Sequence, residues 1–341
     1  MGERIGYLDF LRVAAMCAIL VLHVAATNFD FVEVGSFAWQ VFNAYGGMVR
    51  WAVPVFVMIS GVLFLNKPIS LPKLYSRYVL KMVIVFFFWG IVYCVLQTHT
   101  LKLRNILEGH FHLWFILMIT GLYICTPVLK EIAAKKSVAC YFLALAFVFA
   151  YAVPGAILIS RDFFNGHFAQ TFSSLAKNVS TMNMSVVMGY SSYFVLGKVL
   201  HDADFSSSQR KLIYAAGVLG LVLTVALNAL CSIKNHQTSQ HYFQWISFNV
   251  LLESVGVFVF FKYHAPKNGS VQKIVLKLSE LSLGVYVVHI FILDLFGKLG
   301  LGTLLFNPVF SVPVIAAALF LASLAVSFVI SCIPLAKKYI I

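Results

Sequence analysis

At 341 residues, with 61% hydrophobic and only 11% charged residues and a mean hydropathy of +0.91, the chain has too little polar surface to cover itself in water. It reads as an integral membrane protein. The formal charge of +13 is spread over short segments with no nucleic-acid motif beside it, and reads as a topology signal and contact with anionic lipid.

Apolar stretches rich in Phe, Leu, Val and Ile recur from end to end, and none has the short alternating pattern of a membrane β-barrel. The expectation is an all-α polytopic bundle with ten spans, at roughly 8–28, 47–65, 78–97, 112–129, 137–157, 184–200, 211–231, 245–262, 278–297 and 312–334. Arg4, Arg12, Lys67, Lys73, Arg77, Lys81, Lys130, Lys135, Lys136, Lys198, Arg210, Lys211, Lys262, Lys267, Lys273, Lys277, Lys337 and Lys338 then fall on one side. The positive-inside rule makes that side cytoplasmic, with both termini on it. Arg50, Lys102, Arg104, Arg161, Lys177, Lys234 and Lys298 fall on the other.

The first span reads GYLDFLRVAAMCAILVLHVAATNF. Asp9 and Arg12 precede its apolar run, which argues for a retained span over a signal peptide cleaved near Ala25 and Ala26. Asp9 and Arg12 are three apart and pair on one helical face. For Arg12 the plainer alternative is a charge snorkelling to the inner surface. His23 follows Arg12 by eleven residues, three turns, so the two share a face about 16 Å apart. A histidine so deep is costly unless it serves a reaction, a ligand or a pathway; the plain alternative is an interhelical hydrogen bond.

In WAVPVFVMISGVLF, Trp51, Pro54, Ser60 and Gly61 read as architecture, with Ser60 and Gly61 permitting close helix approach. LPKLYSRYVLKM supplies Lys73, Arg77 and Lys81 as a basic inner rim. GHFHLWF sets His110 and His112 beside Trp114. Two residues apart on a helix do not share a face, so they make a poor metal pair. His112 reads as a partner for an acceptor hydroxyl or as an interfacial residue, with Glu108 available to orient an imidazole. The stretch 158–183 is the longest polar excursion, either a lid or a connector, and 232–245 is a further outer rim.

Glu253, in FNVLLESVGVF, is a cavity candidate or half of a structural ion pair. In SLGVYVVHIFILDLF, Tyr286 and His289 are three apart and present polar groups to one cavity or to a neighbouring helix; Asp294 is a less direct neighbour. The six cysteines, Cys17, Cys94, Cys125, Cys140, Cys231 and Cys332, lack paired spacing and read as small apolar fillers, with neither disulfide nor metal site expected. No glycine pattern forms a nucleotide loop. Residues 1–341 are expected to be one membrane domain without an appended soluble domain.

Four segments in order, RIGYLDFLRVAAMCAILVLHVA, WAVPVFVMISGVLFLNK, HLWFILMITGLYICTPVLK and SLGVYVVHIFIL, resemble the membrane acyltransferase-3 family of bacterial O-acetyltransferases, single-domain type, over nearly the whole chain. The family's basic residue and histidine, ten residues intervening, match Arg12 and His23. Its basic cluster matches Lys73, Arg77 and Lys81, without its paired arginines. The resemblance implies an O-acyltransferase of the bacterial plasma membrane. It would move an acetyl group from acetyl-CoA to a hydroxyl of a cell-envelope glycan or lipid-linked saccharide. In that reading Arg12, Lys73 and Arg77 hold the donor's phosphates and His23 is the base. His112, Tyr286, His289 and Glu253 are acceptor or cavity candidates. No metal is called for, and direct transfer and an acyl-histidine intermediate both stay open. The competing reading is an exporter of polysaccharide or another polar solute, because intramembrane histidines and carboxylates also line pathways.

Overall fold

The computed structural model describes residues 4–98, 102–164, 167–182, 184, 187, 189–266 and 269–341. Among them every regular element is helical. In chain order the principal helices are α1 (Gly6–Phe29), α2 (Phe37–Met48), α3 (Ala52–Leu65), α4 (Leu71–Leu96), α5 (Trp114–Ala134), α6 (Lys136–Phe163), α7 (His167–Thr181), α8 (Ser191–Asp202) and α9 (Ser207–Asn235). They continue with α10 (Phe248–His264), α11 (Ser270–Glu280), α12 (Ser282–Lys298) and α13 (Pro308–Ser331). Among the described residues eight helical runs are long and apolar enough to cross a bilayer, and the bent pair α11–α12, taken as one broken span, makes a ninth. These nine overlap nine of the ten expected spans. The remaining expectation, 184–200, meets α8, a helix of 12 residues.

Local chemistry sets the helix ends. Ser36 caps α2 by accepting from the Trp39 amide at 3.2 Å. Ser206 and Gln209 form a reciprocal capping box at the start of α9, and His236, at φ 51°, ends that helix in the left-handed region. The 62° break between α11 and α12 would strand backbone carbonyls in an apolar setting. Ser282 donates to the Ser279 carbonyl at 2.8 Å and Ser327 to that of Leu281 at 3.1 Å, so the break is satisfied internally.

The core confirms that lipid, not water, is the surrounding solvent. Leu321, Phe310 and Val329 of α13 are about two-thirds exposed, while its Ser311, Ser323 and Ser327 are fully buried. A water-soluble helix would invert that arrangement. Helices α3 and α8 pack closely because of two glycines. A Cβ on Gly61 would lie 1.8 Å from the Phe194 carbonyl oxygen, and one on Gly197 would lie 2.2 Å from that of Met58.

One end of the bundle is basic. Arg4 bonds Asp9 and Glu280, and Tyr7 bonds His201 at 2.7 Å. Lys198 reaches Asn66, Lys130 the Lys67 carbonyl, and Lys262 the carbonyls of Leu200, His201 and Ala203. Lys81 donates to the carbonyl of Ile341. The start of α1 and the end of the chain therefore meet at the same end of the bundle. Lys267, assigned to this group from sequence, lies outside the described residues. The other end gathers His110, His112, Trp114, Tyr190, Trp245 and Arg50. Helix α8 joins the two, since Tyr190 before its start lies tilted against Trp114 at 5.9 Å and His201 in its last turn contacts Tyr7.

Candidate active site

Helix α1 contributes Arg12 and His23 to one cavity of about 230 Å³, lined among others by His112, Trp114, Trp245 and Tyr286. Arg12 stands at the basic end of this cavity. Its Nη1 is 3.2 Å from Asp9 Oδ1 and 2.7 Å from Ser279 Oγ, so the break before α12 brings Ser279 to it. Asp9 is itself held by Arg4 and by the Ser279 hydroxyl at 2.7 Å. The i, i+3 pair expected from sequence is thus part of a four-residue network.

His23 lies at the opposite end, among aromatic rings. Its ring centroid is 5.1 Å from that of His289 and 5.9 Å from that of Phe111, and among the described residues its nitrogens have no hydrogen-bond partner. His289 is fully buried behind it and is 5.4 Å from His112. The His289 Nδ1 donates to the Tyr286 carbonyl, while its Nε2 and that of His112 are buried without partners among the described residues. Tyr286 lines the cavity and donates its hydroxyl to the His112 carbonyl. Of the sequence candidates on other elements, His289 contacts His23 directly, and His112 and Tyr286 line the same cavity.

His110 joins this group. Its Nδ1 is 2.6 Å from that of His112, one ring donating and the other accepting, and it stacks on Tyr93 at 4.4 Å. The helical argument against such a pair fails because residues 110–113 are an extended step and a 3₁₀ turn ahead of α5, where residues two apart approach. Burial pushes the His110 imidazole down, opposed by attraction to Asp294. Glu108 does not reach these rings; it pairs with Arg104 at 2.8 Å.

Arg50, placed by charge counting on the side opposite the basic end, stacks over Phe243 at 4.2 Å and Trp245 at 5.1 Å. It acts electrostatically on both His23 and Glu253. Glu253 is buried outside the cavity, beside a groove shared with Trp51. Lys73 and Arg77 are exposed and do not line the His23 cavity. Arg77 instead lines a recess of about 810 Å³ with Lys81, Lys337 and Lys338. Met82 and Leu283 line both spaces, so the basic recess and the His23 cavity share a wall. The polar excursion at 158–183 is helical over most of its described length, in α6 and α7, and the 232–245 rim delivers Trp245 to the cavity.

A family model described as "Acyltransferase domain" matches residues 5–332. No curated protein and no solved structure matches the chain.

Proposed function

Because the chain belongs to the membrane acyltransferase-3 family, we propose that it is an O-acyltransferase of the bacterial plasma membrane. We read it as moving an acetyl group from acetyl-CoA to a hydroxyl of a cell-envelope glycan or lipid-linked saccharide. The observation that carries this reading is the cavity with Arg12 at one end and His23 at the other, sharing a wall with a basic recess. We further read it as the single-domain type exemplified by the enterobacterial common antigen O-acetyltransferase, from the resemblance of its four ordered segments. Residues 1–341 serve as one membrane domain.

The two spaces suit the two parts of an acyl-CoA. The recess has room and positive charge for a nucleotide with phosphates, with Arg77, Lys81, Lys337 and Lys338 around it. The inner cavity is narrower than a pocket for a whole drug-sized ligand, about 300 Å³ or more, and suits an extended arm. Arg12, at its mouth, takes the phosphate nearest the arm. Lys73 acts from the rim as a long-range attractor. The roughly 16 Å from Arg12 to His23 sets how far the arm extends.

His23 then takes a proton from the acceptor hydroxyl as its oxygen attacks the thioester carbonyl. The C–S bond breaks, and the imidazolium returns the proton to the departing thiolate. A base needs a free lone pair, and His23 is unengaged among the described residues. His289 packs against its ring and is itself backed by His112, whose backbone Tyr286 holds. Glu253 lies outside the reaction path and interacts with Arg50 electrostatically.

The basic end is read as cytoplasmic. With both chain ends there, an even number of crossings is expected, and in our reading of ten the short helix α8 is the tenth. The test is reconstitution of the purified full chain with labelled acetyl-CoA and an envelope glycan extract, following both thiol release and glycan label. Label and thiol produced together support the transferase. Absence of thioester cleavage with every acceptor tried puts the exporter reading first.

A further inference from the structure

Away from the His23 cavity, three side chains with metal-binding atoms converge at the same end of the bundle. Asp162 ends α6, Cys231 lies near the end of α9, and His241 opens the 3₁₀ turn that follows. Asp162 and Cys231 are buried, and His241 is partly exposed. The Cys231 Sγ is 3.4 Å from Asp162 Oδ2 and 3.8 Å from His241 Nδ1, and those two atoms are 3.1 Å apart.

These distances form a triangle that can be compared with a coordination sphere. With zinc–sulfur bonds of about 2.3 Å and zinc–nitrogen or zinc–oxygen bonds of about 2.0–2.2 Å, tetrahedral angles give edges of about 3.6 Å from sulfur and about 3.4 Å between nitrogen and oxygen. Each observed side agrees to about 0.3 Å. We propose that Asp162, Cys231 and His241 bind a single divalent cation of the zinc class. The fourth position faces Ser239, whose Oγ is 3.6 Å from the Cys231 sulfur.

The surroundings are organised as the outer partners of a metal site are. The Arg161 Nε donates to Asp162 Oδ1 at 3.2 Å, so Oδ2 alone is turned toward Cys231 and His241. Asn235 donates to the Cys231 sulfur at 3.5 Å and Lys234 to the Asp162 carbonyl at 2.7 Å, both of which fix the triangle. The Arg161 Nη2, 3.2 Å from His241 Nδ1, belongs to a half-exposed side chain and turns to solvent when the ion enters. Binding converts the Cys231 thiol to thiolate, its proton passing to water. Thiolate and carboxylate together neutralise the cation.

The consequence is a staple across the outer rim. Asp162 comes from a segment 69 residues before Cys231, and His241 leads into Phe243 and Trp245, on which Arg50 stacks. The ion would fix the wall of the reactive end from outside it. No spacing motif announces the site, since one ligand lies far off in sequence and the other two are ten residues apart.

The test is a cobalt titration of the reduced, chelator-stripped full chain in detergent. One equivalent of Co²⁺ should produce a thiolate-to-metal charge-transfer band that one equivalent of Zn²⁺ abolishes. Cys231→Ser should lose the band, and His241→Ala and Asp162→Asn should weaken binding at least tenfold. No band in the wild type at equimolar metal overturns the proposal, whether or not the variants fold. So does a band that persists unchanged in Cys231→Ser, which would assign the metal to another of the six cysteines.

Discussion

Replacing His23 with Gln separates proton transfer from packing. The ring contacts His289 and Phe111 without a hydrogen bond among the described residues, so an amide of similar reach leaves the fold close to intact. What is lost is the lone pair that accepts the hydroxyl proton. General-base catalysis contributes about 100- to 10,000-fold, so transfer should fall by at least about 100-fold, or about 2.7 kcal/mol in the barrier. His23→Ala should fall equally, although it opens a void beside the existing cavity. The assay is initial-rate thiol release and glycan labelling in proteoliposomes at saturating donor, with size-exclusion profiles matched to the wild type. A Gln variant within threefold of wild type, equally monodisperse, would refute His23 as the base. A loss in Ala alone would assign the ring to packing.

Arg12→Ala should raise the donor KM by about 10- to 100-fold, the loss of a charge-assisted hydrogen bond of about 1.5–3 kcal/mol. The maximal rate should change far less; titration with acetyl-CoA checks this, and Asp9 stays satisfied by Arg4 and Ser279. Arg77→Gln should raise the donor KM modestly and flatten its rise with salt, because a solvent-open basic recess is screened over about 8 Å at physiological ionic strength. A KM independent of salt in the wild type would remove the recess from donor binding. Gly61→Ala should destabilise the bundle by about 3 kcal/mol, the upper part of the overpacking range, since its Cβ would meet a backbone carbonyl that cannot rotate away. Thermal unfolding in detergent measures this, and an unchanged midpoint would contradict the close packing of α3 on α8.

Much of the bundle is legible in the sequence because hydrocarbon imposes a single length rule on each apolar run. The exceptions are instructive. Helix α8 is too short for that rule, since it packs backbone to backbone against α3 and presents glycine where other helices present side chains. Arg12 and His23 share a face by helical arithmetic alone, and one cavity receives both. His110 was discounted by the same arithmetic, applied to a stretch that is not α-helical. Arg50 stands at the end that charge counting gives it, but that count cannot see two aromatic rings arriving from 193 and 195 residues later to cover it. The division of the basic residues between two adjoining spaces depends on how the chain end returns beside α4, which no local pattern encodes.

The wall of the cavity between its two polar ends bears on a problem outside catalysis. From Arg12 to His23 it is faced by Met16, Ile19, Val53, Phe56 and Ile119. With only Ser60 and Tyr123 adding polar groups, this mostly apolar stretch holds water poorly, and dewetting of apolar constrictions blocks ions in channel gates. An uncharged thioester arm tolerates that stretch, whereas a hydrated proton or sodium ion does not. The lining therefore favours an acyl arm over ions as the cavity's occupant, which bears on how such an enzyme coexists with a membrane potential.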